Sequence, residues 1–112
     1  MPIDVNLVKE YIHQNLYQLH TISDVAATLH VSPETLRKTF LRETQKTLSQ
    51  FILNKRLEFI KKRLLETDLL CFQIIYESGF RREDSAAKIF HGVIGMTMQQ
   101  YRSSYRNTNK NI

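Results

Sequence analysis

The stretch SPETLRKTF, residues 32–40, starts a helix and lines up cations within nine residues. Ser32 is an N-cap residue, and Pro33 falls at the first helical position, where its missing N–H costs nothing because no intrahelical partner exists there. Steps of 100° from Leu36 put Thr39, Phe40 and Glu43 on the inner side and Glu34, Arg37, Lys38 and Arg42 on the outer side. The outer face is left to meet something other than the core.

Working outward, residues 21–24 read TISD, a hydroxyl cap followed three residues later by an acid in the first turn. They open a two-turn helix from Ile22 to Leu29, which breaks at His30 and Val31. Before it, Asp4 caps a first helix from Val5 to Leu16 with Leu7, Val8, Tyr11 and Ile12 as its apolar stripe. After it, Thr47 caps a helix from Leu48 to Glu66, about 28 Å long, with Leu53, Leu57, Ile60 and Leu64 inward and Lys55, Lys61 and Lys62 away. Thr67 and Asp68 end that helix. A short one from Leu70 to Ser78 follows, Gly79 makes a turn, a sixth helix holds Lys88, Ile89 and Phe90, and Thr97 with Gln100 form the capping box of a seventh.

The pattern around residues 32–40 then recurs. QKTLSQF at 45–51 aligns with GMTMQQY at 95–101, offset by 50, with Phe40 falling on Phe90. Upstream, Val25 and Ala26 fall on Ile74 and Ile75, and His30 on Gly79, at an offset of 49. The expected fold class is therefore all-α: seven helices, with two helix-turn-helix subdomains at about 5–47 and 67–105. A long linker helix at 48–66 joins them, and a polar tail follows at 106–112.

Composition agrees with a small helical domain. The chain has 112 residues, 42% hydrophobic and 24% charged, with three glycines and two prolines, too few for closely spaced β-turns. Its one cysteine excludes an intramolecular disulfide and a thiolate metal cluster, which fits the cytoplasm. No apolar run is long enough to span a membrane, and Asp4, Lys9 and Glu10 interrupt any signal peptide. The formal charge is +5, and only Lys9 is basic among residues 1–30, so fifteen Lys and Arg face eight acids over residues 31–112. That asymmetry fits a polyanionic partner, although a solvated surface also accounts for it.

A two-turn helix, a tight turn and a cleanly capped second helix with a basic outer face suit the major groove, where Arg and Lys reach guanine edges or phosphates. Two copies on one basic chain make the pattern far more specific than one. The sequence resembles the AraC/XylS-type bacterial transcription regulators over about residues 7–103, through SDVAATLHVSPETLRKTF (23–40), RLEFIKKRLLETD (56–68) and GFRREDSAAKIFHGVIGMTMQQYR (79–102). The last keeps Gly79, Phe80, Phe90, Gly95, Thr97, Tyr101 and Arg102 at the family's spacing.

The resemblance implies two recognition helices in successive major grooves of double-stranded DNA and recruitment of RNA polymerase. It implies base reading by Glu34, Arg37 and Lys38 in the first unit and by Glu83, Asp84, Ala87 and Lys88 in the second. Backbone contacts would fall to Ser32, Thr35, Arg42, Arg81, Arg82 and Ser85. The family often adds an N-terminal effector or dimerisation domain, so this portion is expected as a monomeric module, and the start at Met1 favours a stand-alone regulator over a fragment. The chain departs from the pattern at His30 and Gln45, where glycine is usual, at Ile60 and Ile75 in place of alanine, at Ala86 in place of a core phenylalanine and at Met98 in place of proline. Ile75 is expected to refill the space that Ala86 leaves.

Other chemistry is not expected. Histidines 13, 20, 30 and 91 sit on separate segments without paired-ligand spacing. Cys71 reads as a small buried hydrophobe at a helix start. No acid pair, nucleophile triad or glycine-rich phosphate loop supports an enzyme or a cofactor. The expected function is sequence-specific DNA binding in transcription regulation, with activation the favoured outcome. The alternative is a protein-interaction module that binds another regulator or polymerase through an eroded second motif, with the acids at 83 and 84 as its evidence.

Overall fold

A computed structural model describes residues 3–18 and 21–110, with side chains through Arg106. The described residues form seven α-helices and no strands: α1 (Val5–Gln14), α2 (Ile22–Thr28), α3 (Pro33–Thr44), α4 (Leu48–Glu66), α5 (Cys71–Glu77), α6 (Glu83–Ile94) and α7 (Met98–Lys110). They fall into two compact units, Met1–Lys55 and Arg56–Ile112, with α4 running through the division. His20 and residues 111–112 lie outside the described residues, and α7 takes in most of the stretch expected as a polar tail.

Helix starts follow their caps. Asp4 accepts from the Asn6 amide, Thr21 and Asp24 form a reciprocal box, and Ser32 accepts from the Thr35 amide with Pro33 behind it. Thr47 with Gln50 and Thr97 with Gln100 repeat the box at α4 and α7. Each satisfies first-turn N–H groups that have no intrahelical acceptor.

In the first unit α2 and α1 pack on α3. Val8, Ile12, Val25, Ala26, Leu36, Phe40, Leu48 and Ile52 are buried, and Phe40 meets Phe51 edge-on at 5.3 Å. Several expectations change here. Leu7 is 59% exposed, because α1 needs only Val8 and Ile12 to face the core. α1 stops at Gln14, where the Asn15 side chain donates through Nδ2 to the Tyr11 carbonyl and its backbone N–H to the Ile12 carbonyl, and Leu16 is buried beyond its end. Glu43 is exposed, since its inner position lies past the contact made by Phe40. On α4, Ile52 takes the buried place expected for Leu53, which is half-buried.

The second unit packs α5 and α7 on α6. Leu57, Ile60, Leu64, Ile74, Ile75, Ala86, Phe90 and Met98 are buried, Phe90 meets Tyr101 edge-on at 5.8 Å, and Ile75 lies in the same core as Ala86. Buried Ser78 donates through Oγ to the Ile75 carbonyl, so its hydroxyl is satisfied. From α7, Arg102 donates to the Leu64 and Thr67 carbonyls, and Arg106 donates to the Thr67 carbonyl and pairs with Asp68 at 2.7 Å. Two guanidiniums thus neutralise the carbonyl end of α4. Cys71 is half-buried rather than buried, with Sγ 3.9 Å from Gln99 Oε1.

Candidate nucleic-acid interface

The fold presents α3 by burying one of its sides. Leu36 and Phe40 are fully buried, so Glu34, Thr35, Arg37, Lys38 and Arg42 are exposed. Ser32, also exposed, donates its hydroxyl to Thr35 Oγ1 at 2.7 Å, so these two candidate backbone contacts already bond each other at the helix start. Glu34 and Lys38 form an i,i+4 ion pair at 3.0 Å. With both side chains about three-quarters exposed, the pair is worth no more than about 0.5 kcal/mol, and a phosphate or base edge competes with it readily. Arg37 and Arg42 have no ion pair among the described residues and extend from the same face.

α6 is presented in the same way but carries different charge. Ala86 and Phe90 are buried, Glu83, Asp84, Ala87 and Lys88 are exposed, and Ser85 is half-buried. Arg81 and Arg82 are exposed just ahead of the helix. The cap position belongs to Arg82, in extended conformation and with no side-chain bond to the first-turn amides of the helix. Asp84 is therefore the second helical residue and not the cap.

Arg82 holds both oxygens of Asp84, Nε at 3.3 Å and Nη2 at 3.1 Å. An amide hydrogen bond at Ser85, reinforced by Arg82, keeps the Asp84 carboxyl below the usual range. A carboxylate so held stays ionised, and in a major groove only an amine donor such as cytosine N4 accommodates it. Lys88 has no ion pair among the described residues. The α3 face thus offers one acid beside three cations, whereas α6 offers two acids beside one.

Behind Arg81, Phe80 is half-buried with the Arg56 guanidinium over its ring at 5.6 Å, an arrangement the sequence pattern did not disclose. Burial lowers the Arg56 pKa from arginine's usual value. The other feature missed is the exposure of three large apolar residues, Leu70 at the cap of α5 and Phe72 and Tyr76 within it. Comparing the two sequence copies could have found it, because the first copy has Thr21, Ser23 and Ala27 in those places. Among the described residues no group of His, Cys, Asp and Glu is arranged to hold a metal ion, and no helix is long and apolar enough to cross a membrane.

Comparison with known proteins places this geometry in a wider set. Residues 25–104 match a family described as a helix-turn-helix domain. The melibiose operon regulatory protein of Escherichia coli K12 is 32% identical over 92 residues, 82% of this chain and 30% of that protein. The transcriptional activator NphR of Rhodococcus is 31% identical over 103 residues, 91% of this chain and 30% of NphR. The chain spans about 30% of the length of these curated relatives. Among solved structures, the C-terminal domain of AraT, a response regulator from Geobacillus stearothermophilus, superposes with a TM-score of 0.84 at 26% identity, covering 89% of this chain and 84% of that one.

Proposed function

The chain belongs to the AraC-type helix-turn-helix family of transcription regulators, and from that premise we propose that it binds specific double-stranded DNA by placing α3 and α6 in successive major grooves. The observation that carries the reading is α3 itself: a capped helix whose inner side is locked by Leu36 and Phe40 while Arg37, Lys38 and Arg42 project from the other. A rigid helix with outward cations is the form in which side chains reach guanine edges and phosphates.

In this reading Arg37, with Glu34 and Lys38, reads bases in the first groove, and Lys88, with Glu83, Asp84 and Ala87, reads the second. Ser32, Thr35, Arg42, Arg81, Arg82 and Ser85 make the backbone contacts in the same reading. The module binds as a monomer in the cytoplasm and activates transcription by contacting RNA polymerase. The name of NphR as a transcriptional activator supports the direction of regulation.

The test is selection from a pool of random duplexes, followed by titration of the recovered site against salt. Each neutralised phosphate contributes about 0.9 to the log-log slope, so several Lys and Arg acting together give a slope of roughly 4 or more. A slope near zero, or no duplex bound at low salt, would remove DNA binding as the function.

A further inference from the structure

α6 begins with a guanidinium where α3 begins with a hydroxyl. Arg82 and Ser32 hold the same cap position fifty residues apart, yet Ser32 bonds a first-turn amide of its helix and Arg82 bonds none. Five residues further on the exchange is reversed, because Arg37 of α3 corresponds to Ala87 of α6, and α6 itself contains no arginine. The second unit thus lacks the arginine in the middle of its outer helix and has one at the start instead. The second helix of a helix-turn-helix meets base edges with its N-terminal residues, and that is the end of α6 that Arg82 occupies.

The Arg82 side chain is also held in a definite way. Its Nε lies 3.3 Å from one oxygen of Asp84 and its Nη2 3.1 Å from the other, so the carboxylate takes the side edge of the guanidinium. The terminal edge, Nη1 with the second hydrogen of Nη2, has no partner among the described residues, and the side chain is 74% exposed. That edge presents two parallel N–H groups, the pattern that meets O6 and N7 of guanine. Asp84 fixes the plane of the guanidinium and so removes rotamer freedom that an arginine otherwise loses on binding. The Ser85 amide and Arg82 in turn keep that carboxylate ionised.

We propose that Arg82 reads a guanine in the second groove and that Asp84 is the positioning residue that aims it. This rests on the DNA reading and redistributes two residues within it: Arg82 moves from the backbone to a base, and Asp84 from the bases to the arginine that reads one. A phosphate also fits an open guanidinium edge, but its attraction comes from charge, which the carboxylate 3.1 Å away offsets. A guanine edge is uncharged, so directed N–H groups matter more to it than net charge, and a paired Arg82 keeps both of them. The pairing also answers for one of the two acids on a DNA-facing helix, since Asp84 enters the groove with its own cation.

The experiment measures affinity for the site selected by the wild-type chain and for versions in which each base pair is replaced in turn, with melting curves confirming that every variant folds. Arg82→Lys keeps the charge but cannot present two N–H groups in one plane. It should lower discrimination about tenfold at one G·C pair, distinct from the pair that Arg37→Ala relaxes. Asp84→Asn should lower discrimination at that same pair by about threefold in the wild-type background and no further in an Arg82→Ala background, where no guanidinium remains to be aimed. If Arg82→Ala instead weakens every duplex equally and lowers the salt slope by roughly one, Arg82 contacts phosphate and the proposal falls. Effects of Arg82→Lys and Asp84→Asn at different base pairs, or an undiminished effect of Asp84→Asn without Arg82, would also overturn it. Each of these outcomes leaves specific binding by the wild type in place, whereas failure of the DNA reading shows as no duplex bound at low salt and removes both.

Discussion

The turn after α2 and the turn after α5 adopt the same left-handed backbone with different residues: His30 at φ 59° in the first unit and Gly79 at φ 93° in the second. The turns after α3 and α6 repeat the contrast, with Gln45 at φ 61° and Gly95 at φ 85°. For a residue with a Cβ this conformation costs roughly 1–2 kcal/mol, a cost glycine does not bear. The first unit has therefore spent backbone stability twice where the second has not. It keeps the charge pattern suited to reading DNA, whereas the second unit has the relaxed turns, mixed charge on α6 and an exposed apolar face on α5. Two copies of one architecture have diverged in opposite respects, backbone in one and surface in the other.

The largest effect should come from the cores, where the copies are alike. Phe40 and Phe90 are both fully buried and each meets an aromatic partner edge-on. Phe40→Ala and Phe90→Ala should each destabilise their unit by about 3–5 kcal/mol in denaturant titrations. A loss below about 1 kcal/mol in one unit would show that its aromatic pair does not hold it, and the equivalence of the two cores would fail.

The interface should separate the copies. Arg37 corresponds to Ala87 fifty residues later, so Arg37→Ala gives α3 what α6 already has. It should weaken the selected site by about 1–3 kcal/mol and relax the preference at one base pair, as loss of a bidentate guanine contact does. Arg42→Ala should instead weaken all duplexes about equally and lower the salt slope by roughly one. Uniform weakening by Arg37→Ala across mismatched sites would end its base-reading role.

The turns come next in size. Gln45→Gly should stabilise the first unit by up to about 1 kcal/mol, the left-handed cost less the extra chain entropy of glycine. Gly95→Ala should cost the second unit about 1 kcal/mol, although nothing lies within 4 Å of the added Cβ, because the backbone conformation itself is the obstacle. If both changes move the melting temperature in the same direction, strain at these turns does not distinguish the copies.

What was legible in the sequence was local. Caps at Asp4, Thr21, Ser32, Thr47 and Thr97 follow from hydroxyl, carboxylate and amide chemistry within three residues, and all form as expected. The repeat was legible because Phe40 and Phe90 sit in the same frame. Faces set by distant packing were not legible: Leu7 and Glu43 have inward periodicity but point to solvent, and Ile52 displaces Leu53. The same holds for Arg102 and Arg106, whose acceptors on and just after α4 lie 35–39 residues away in sequence. Among the candidate site residues, exposure follows from helical periodicity. The Arg82 grip on Asp84 spans only two residues and follows from the extended backbone at the start of α6, whereas the exposure of Phe72 and Tyr76 depends on how α5 packs.

The smallest difference concerns how the two outer helices begin. Glu34 and Asp84 hold the same position fifty residues apart, but α3 has a hydroxyl cap from Ser32, whereas Arg82 gives α6 none. α6 relies on Asp84, whose carboxylate is favoured first by the Ser85 amide bond and then by Arg82. Because its pKa is lowered in the folded state, the ionised group stabilises the fold fully above the unfolded carboxylate value of about 3.9. That contribution is lost as the pH falls through the lower folded value. Asp84→Asn should therefore lower the melting temperature slightly at neutral pH, and the gap to the wild type should close as the pH approaches about 2. Arg82→Ala should retain most of this pH dependence, since the amide bond survives it, and added salt should narrow only the part due to the ion pair. Ser32→Ala should cost the first unit about 1 kcal/mol with no such closing, because a hydroxyl does not titrate. A gap between wild type and Asp84→Asn that stays constant down to about pH 2 would show that the carboxylate does not start α6, and the two helix starts would then differ by the Ser32 cap alone.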